Sequence, residues 1–301
     1  MVTEMRAFVA GLVLFAGIAL HAQGPAGPPG QPSGGLPTEI TQVRFNSGQS
    51  VVPYFEGWIK NPDGSFDMVF GYFNRNWKQE FSIPVGPDNK VEPMTGDANQ
   101  PTYFLPRRQR WVYRVRVPAN FGKQSVVWTI TANGKTEHAY GELLPAQEIN
   151  ERVVMTNGNF DPGDDDPNKP PTMTIASSFT AKVNTPLALT VAAADDGLPK
   201  PRAAPAPKPA PPPTDGRPSA FTAQVNSSGP QRPRGLSVNW LQYRGPAKAV
   251  VEPAGPIPVP GGQGDAQASV RFTEPGTYKL IALVSDGAMA RRQEVTVTVT
   301  P

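Results

Sequence analysis

The sequence predicts an all-β protein built from two antiparallel β-sandwich domains, and three observations carry that expectation. Short runs of alternating apolar and polar residues recur along the chain, the period of strands with one wet face. Turn segments rich in Gly, Pro, Asn and Asp punctuate these runs. Beyond the first 22 residues no segment holds an apolar period of 3.6, so little helix is expected. The length of 301 residues suits two domains, at roughly 100–150 residues each. The chain has no cysteine, so burial alone must stabilise it.

Residues 1–22 read as a secretory signal peptide. Arg6 and the amino terminus outweigh Glu4, and Ala7 to Leu20 form an uncharged apolar run too short for a membrane span, which needs about 20 residues. Ala22 is the small residue at the cut; Leu20 keeps an uncleaved anchor as the alternative, and no cysteine is present for a lipid anchor. The expectation is an exported protein, secreted, periplasmic or at the cell surface, with no membrane span after cleavage. Residues 23–38 are a Pro/Gly-rich tether in which Gly24, Gly27 and Gly30 keep a three-residue period that Ser33 breaks, so a flexible linker is expected rather than a triple helix.

Residues 39–155 form the expected first sandwich and hold 17 of the chain's 26 aromatic residues. Asn61-Pro62-Asp63-Gly64 joins two strands, Pro62 presetting φ and Gly64 accepting a left-handed conformation. Asn133-Gly134 reads as a two-residue type I′ turn, which fixes a register: Ala132 opposite Lys135, Trp128 opposite Ala139, Thr129 opposite His138. One face then carries Val126, Trp128, Ile130 and Ala139 inward. Thr129, Thr131, Thr136, His138 and Tyr140 lie on the wetter face. A neighbouring strand alternates likewise, Trp111, Tyr113, Val115 and Val117 inward, Arg110, Val112, Arg114 and Arg116 outward.

Residues 156–171 are an acidic, polar linker, and 172–301 form the second sandwich. Its strands alternate through Leu187, Leu189 and Val191; Val238 and Trp240; Val270 and Phe272; Tyr278, Leu280, Ala282 and Val284; then Val295, Val297 and Val299. Residues 198–234 carry 11 prolines and almost no apolar side chains. They are expected to be a disordered, partly polyproline-II insertion between strands.

Four segments carry a resemblance: Asp195-Asp196-Gly197, Trp240 in VNW, Glu274-Pro275-Gly276-Thr277-Tyr278, and Ser285-Asp286-Gly287. With them, about 90 residues of the second domain resemble the immunoglobulin-like modules of bacterial surface proteins, in the cadherin-like and PKD-like group. The resemblance implies that Trp240 is the buried tryptophan of the third strand and that Tyr278 sits at a corner with its hydroxyl returned to backbone. The chain has NWLQYRGP where PKD domains carry a WDFGDG-type run. The first domain, through PYFEGWIKNPDGSFDMVFGYFNRNW, resembles uncharacterised exported bacterial proteins, a likeness that brings no activity with it.

The sequence offers little for catalysis, and no enzyme is expected. After cleavage His138 is the remaining histidine, mid-strand beside Thr129, so a Ser-His-Asp triad has no base in place. Without cysteine, zinc of the Cys/His type is excluded. A glycoside hydrolase would need two paired acids; Glu56, Asp67, Glu80 and Glu92 lie near aromatics, but their spacing selects no pair. Calcium is the best-motivated ligand, since it takes several loop oxygens. Asp195, Asp196 and Asp286 would meet at one pole of an immunoglobulin-like topology, and Asp161, Asp164, Asp165 and Asp166 cluster in the linker; turn capping is the competing reading of both.

Aromatics occupy both faces of the first strands, which calls for a second covering layer or an exposed platform. Trp77, Tyr103 and Phe104, near loops, are the candidates for a platform on which a sugar could stack. Arg107, Arg108, Arg110, Arg114 and Arg116 are expected to pair with carboxylates or cover apolar surface. With a formal net charge of +3, nucleic acid is not an expected partner. The leading expectation is a non-catalytic binding or adhesion protein of the cell envelope, with a protein or carbohydrate partner. A carbohydrate-binding accessory of glycan degradation and a structural envelope scaffold are the alternatives.

Overall fold

In the computed structural model, which describes residues 44–159, 167–200 and 235–301, the chain is nearly all strand. The leader, the tether, the linker aspartates Asp161, Asp164, Asp165 and Asp166, and residues 201–234 of the Pro-rich insertion lie outside the described residues. The first half contributes β1 (Val51–Lys60), β2 (Phe66–Asn74), β3 (Phe81–Ser82), β4 (Asn89–Glu92), β5 (Tyr103–Phe104), β6 (Arg107–Val117), β7 (Val126–Ala132) and β8 (Lys135–Gly141), then a short helix α1 (Glu151–Met155). Two three-stranded sheets, β1-β2-β6 and β4-β7-β8, enclose its core, with β3 and β5 paired beside them.

Both hairpins form at the expected turns. Gly64, at φ 84°, donates its N–H to the Asn61 carbonyl at 3.0 Å and lets β1 return as β2. Asn133 and Gly134 adopt φ 49° and 72°, as a type I′ turn requires, and pair Ala132 with Lys135, Trp128 with Ala139 and Thr129 with His138. Val126, Trp128, Ile130 and Ala139 are buried together in the core. Thr129 departs from its wet-face assignment and is buried: β7 is the middle strand of its sheet, and the Thr129 hydroxyl lies 3.0 Å from His138 Nδ1.

Two bulges interrupt the first sheet, and alternation breaks at both. Between Phe55 and Gly57 the register of β1 shifts, which turns Trp58 into the core and leaves Ile59 on the outer face. In β6, residues 110–112 stand opposite the single residue Gly71. Trp111 takes φ 57° and joins Ile59 and Val69 on the outer face, while Val112 packs towards the core. Trp111 is therefore buried as expected but on the opposite side from Tyr113, because the extra residues of a bulge reverse the side-chain sense locally. The covering layer is real here: Ile149, Val153 and Val154 pack over Ile59, Val69 and Trp111. Asn150 caps α1, its side chain accepting from the Val153 N–H at 3.0 Å.

The second half contributes β9 (Thr172–Thr174), β10 (Ser178–Lys182), β11 (Leu187–Ala194), β12 (Ser237–Arg244), β13 (Ala249–Glu252), β14 (Ile257–Pro258), β15 (Gln263–Phe272), β16 (Gly276–Ser285) and β17 (Ala290–Thr300). Sheets β13-β15-β11-β9 and β10-β17-β16-β12-β14 face one another across a core of their alternating side chains, with β10 running parallel to β17. This is an immunoglobulin-like sandwich. Trp240 is buried on the third of its long strands, and Tyr278 donates its hydroxyl to the Glu274 carbonyl at 2.9 Å, closing the corner.

The described residues of both sandwiches fall in one compact unit, and polar contacts join the two sandwiches. The Thr102 N–H donates to the Tyr243 carbonyl, Tyr243 Oη donates to the Asn99 carbonyl at 2.6 Å, and Arg244 Nη2 binds Asp97 at 2.8 Å. Lys248 reaches Glu80 at 2.6 Å.

Candidate functional site

Of the three proposed platform residues, one is exposed. Trp77 keeps 40% of its surface in solvent, whereas Tyr103 and Phe104 are buried. Phe104 belongs to the core, edge-on to Tyr72. Tyr103 donates its hydroxyl to Glu80 at 2.6 Å. Burial, then the hydrogen bond to Glu80 and that group's negative charge, drives its pKa far above the ordinary tyrosine value. Both sit on β5, which pairs with β3 and also meets β12 of the second sandwich; nothing local in the strand announces that contact.

Trp77 is instead part of an aromatic–arginine surface. The guanidiniums of Arg44 and Arg107 lie over its ring at 4.6 and 4.3 Å, and Arg107 also lies 4.7 Å from the centre of Phe73. Tyr54, at 39% exposure, carries Arg108 over its ring at 4.1 Å. Register places Phe73 opposite Val52 and Arg108, and Tyr54 opposite Gly71, so Phe73, Tyr54 and Arg108 share the outer face of the sheet; Trp77, in the loop after β2, joins them through Arg107. Such cation–π contacts hold the guanidiniums in fixed positions while leaving N–H donors for a partner.

The acids weighed for glycoside hydrolysis are all engaged. Glu56 binds Arg108 at 2.8 Å and Arg110 at 3.7 Å, Glu80 is shared by Tyr103 and Lys248, and Glu92 pairs with Lys90. Asp67 accepts from Arg116 and Asn61 at 2.9 and 3.0 Å. Burial alone would raise the Asp67 pKa, but these hydrogen bonds and the charges of Arg116 and Arg114 hold it below its ordinary value. A depressed folded-state pKa contributes stability that is full above the unfolded value, about 3.9, and lost as pH falls through the folded one. Melting temperatures of the wild type and Asp67→Asn measured against pH should therefore lie apart near neutrality, the variant lower, and converge in acid. Parallel curves would show that the carboxylate charge contributes nothing.

At the pole of the second sandwich, Asp195 and Asp286 line one cavity of 270 Å³, as the topology implied. They do not build a calcium site with Asp196. Asp286 Oδ1 accepts from the N–H groups of Ala288 and Met289, both at 2.6 Å, and Oδ2 accepts from Asn168. Asp196 accepts from Leu198 and Lys169, and Asp195 Oδ2 from Gly197. Five of the six oxygens thus cap turns or tie down the preceding segment. Burial, then the charges of Asp286 and Asp196, raises the Asp195 pKa. Among the described residues no group of three or more carboxylate or histidine side chains is gathered to hold a metal ion, so this donor set does not fit calcium. His138 is exposed on its strand with Thr129 as its hydrogen-bond neighbour, and among the described residues no nucleophile–base–acid set includes it.

A feature the sequence reading missed lies where the sandwiches meet. Two adjoining cavities of 560 and 550 Å³ share Val112, Val154, Met155, Ala290 and Arg292 in their walls. Arg292 of β17 donates to the carbonyl of Trp111, an acceptor that the β6 bulge withdraws from the ladder. Its only sequence signal is the Arg291-Arg292 pair near the start of a strand whose second half alternates Val and Thr.

The described protein is thus a β-sandwich followed by an immunoglobulin-like sandwich, with no helix among the described residues long and apolar enough to cross a membrane. No protein-family model matches the chain, and no curated protein matches it. It is similar to domains 4 and 5 of the S-layer protein SbsC, at 10% identity over 60% of this chain and 66% of that one, with a TM-score of 0.25. It is similar also to a protein of unknown function from Porphyromonas gingivalis W83, at 11% identity, 83% and 98% coverage and a TM-score of 0.25. The D00-D0 domain of intimin stands at 12% identity, 83% and 100% coverage and a TM-score of 0.24. Likenesses at this level carry no argument about what this chain binds.

Proposed function

We propose that this is a non-catalytic exported binding or adhesion protein of the cell envelope, and that it engages its partner through the outer face of the β1-β2-β6 sheet. The observation that carries the reading is the exposed pair of rings, Trp77 and Tyr54, each with a guanidinium over it. Rigid aromatics flanked by arginine are the side chains that dominate binding energy at protein surfaces. Export rests on the leader reading of residues 1–22.

Cosedimentation of the mature protein with envelope fragments tests it. Trp77→Ala should weaken binding by roughly ten-fold or more, as expected for loss of an aromatic hot spot, with an unchanged melting temperature. Equal binding by the variant overturns the assignment of this face. A carbohydrate partner is the second reading, favoured by the guanidiniums of Arg44 and Arg107 held over the exposed Trp77 ring, an arrangement suited to the carboxylate of an acidic sugar; binding on a glycan array that Trp77→Ala abolishes would support it.

A further inference from the structure

Arg292 is half-buried by surface, yet enough protein surrounds its guanidinium that desolvation, with the nearby charge of Arg114, lowers its pKa to about 10. A cation in such a place is normally held by a carboxylate, because an uncompensated buried charge is costly. The carboxylates around the junction are already taken: Glu56 by Arg108 and Arg110, Glu151 by Arg114, and Glu294 by Lys279. Among the described residues none lies within ion-pairing distance of Arg292, whose one hydrogen bond goes to the Trp111 carbonyl. A guanidinium has five N–H donors, so most of them have no protein acceptor among the described residues.

The space beside it has matching character. Among the described residues, the wall of the 550 Å³ cavity holds Arg108, Arg110 and Arg292 and no carboxylate. The remainder combines apolar side chains, among them Leu241, Leu283 and Met289, with the amides of Asn157 and Asn239. Volumes of this order hold small organic ligands, and a few fixed polar groups in an apolar wall set their orientation. Arginine presents a planar fork that matches the two oxygens of a carboxylate or phosphate.

We propose that the junction between the two sandwiches is a binding site for a small organic oxyanion, a carboxylate or phosphate on an apolar body, with Arg292 as its anchor. The bound oxyanion would supply the counter-charge the fold withholds, and the apolar wall would take the body of the ligand. The bulge of β6 and the first residues of β17 form the site jointly, so occupancy would also tie the two sandwiches together.

The test is thermal unfolding of the full chain in rising inorganic phosphate and, separately, in rising benzoate, against sodium chloride at equal ionic strength. A ligand that binds only the folded state must raise the melting temperature. At least one anion should do so in the wild type, with an apparent affinity at least ten-fold weaker in Arg292→Met, and with Arg292→Lys, which keeps the charge but not the fork, between them. A rise with phosphate assigns a phosphoryl group, and a rise with benzoate a carboxylate. Without anion, Arg292→Met should melt at or above the wild type, since it removes an uncompensated charge and keeps an apolar stem. No rise with either anion, an equal rise in all three proteins, or an anion-free Arg292→Met that melts well below the wild type would make Arg292 a structural pin and overturn the site.

Discussion

Replacing Trp128 with alanine is expected to unfold the first sandwich. Trp128 is fully buried on β7, edge-on to Phe70 and Tyr113 and close to Phe104, so one ring joins the aromatic contacts of both sheets. Its Nε1 donates to Asn89 Oδ1 at 3.0 Å, and the Asn89 amide nitrogen binds the carbonyls of Ile83 and Pro101. Truncating a buried Trp to Ala costs about 3–5 kcal/mol. The abandoned Asn89 oxygen, fully buried, adds about 1–3 kcal/mol for an unsatisfied acceptor. Against a total stability on the order of 5–15 kcal/mol, little would remain. Hydrogen exchange should show protection lost from β2, β6 and β7 while the core strands β16 and β17, packed in their own cluster, stay protected. Trp128→Phe, which keeps most of the volume, should lose less than half as much. An alanine variant melting within about 2 °C of the wild type, a difference worth only some 0.5–1 kcal/mol in a chain of this size, would remove Trp128 from its central place.

How much of this was legible in the sequence depends on whether the deciding signal was local. The register through Asn133-Gly134 was readable residue by residue, because a type I′ turn leaves no freedom in which residues face each other and the side-chain period is two. The second sandwich read equally well, as its strands alternate without interruption and Tyr278 announces its corner four residues after Glu274. Trp111 was misplaced because β6 gives no internal sign of its bulge; the cause is Gly71 on the neighbouring strand. Tyr103 and Phe104 were misplaced too: Phe104 turns into the core of its own sandwich, against Tyr72 and Trp128, and beside it Thr102 bonds Tyr243 and Gly245, some 140 residues along the chain; a two-residue strand has no period that announces either kind of cover. Asp195 and Asp286 were brought together by topology, but whether their oxygens face a cation or backbone N–H groups is decided by loop geometry that composition does not encode. The junction cavities left no sign beyond the Arg291-Arg292 pair, being lined from bulges and strand ends with no period.

Gly71→Ala should be the most damaging small substitution in the first sheet, and the reason is the bulge. A Cβ at Gly71 would run into Glu56 Oε1 and stand 2.6 Å from the Gln109 carbonyl oxygen and 3.2 Å from Arg110 Cα. Glu56 could swing aside only by giving up Arg108; the other two atoms are backbone and cannot. The strand must therefore move away from β2 just where residues 110–112 loop out. Overpacking of this kind costs about 1–3 kcal/mol, which in a domain of this size lowers the melting temperature by roughly 2–12 °C. The loss should have a local mark that a general destabilisation would lack. Trp111 is held in the outer cluster by the bulge and by its Nε1 bond to Asn157 Oδ1 at 2.9 Å. If β6 retreats, that ring gains access to solvent at temperatures where the rest of the fold is intact. Acrylamide quenching of the tryptophan emission, compared between Gly71→Ala and Gly71→Ala with Trp111→Phe, isolates its contribution. Increased quenching that vanishes in the double variant is the expected result, and it would tie the glycine on one strand to the tryptophan, and through the Trp111 carbonyl to Arg292, on two others. A variant with native stability and unchanged quenching would mean that the bulge tolerates a side chain at Gly71 and is fixed by something other than close approach of the two backbones.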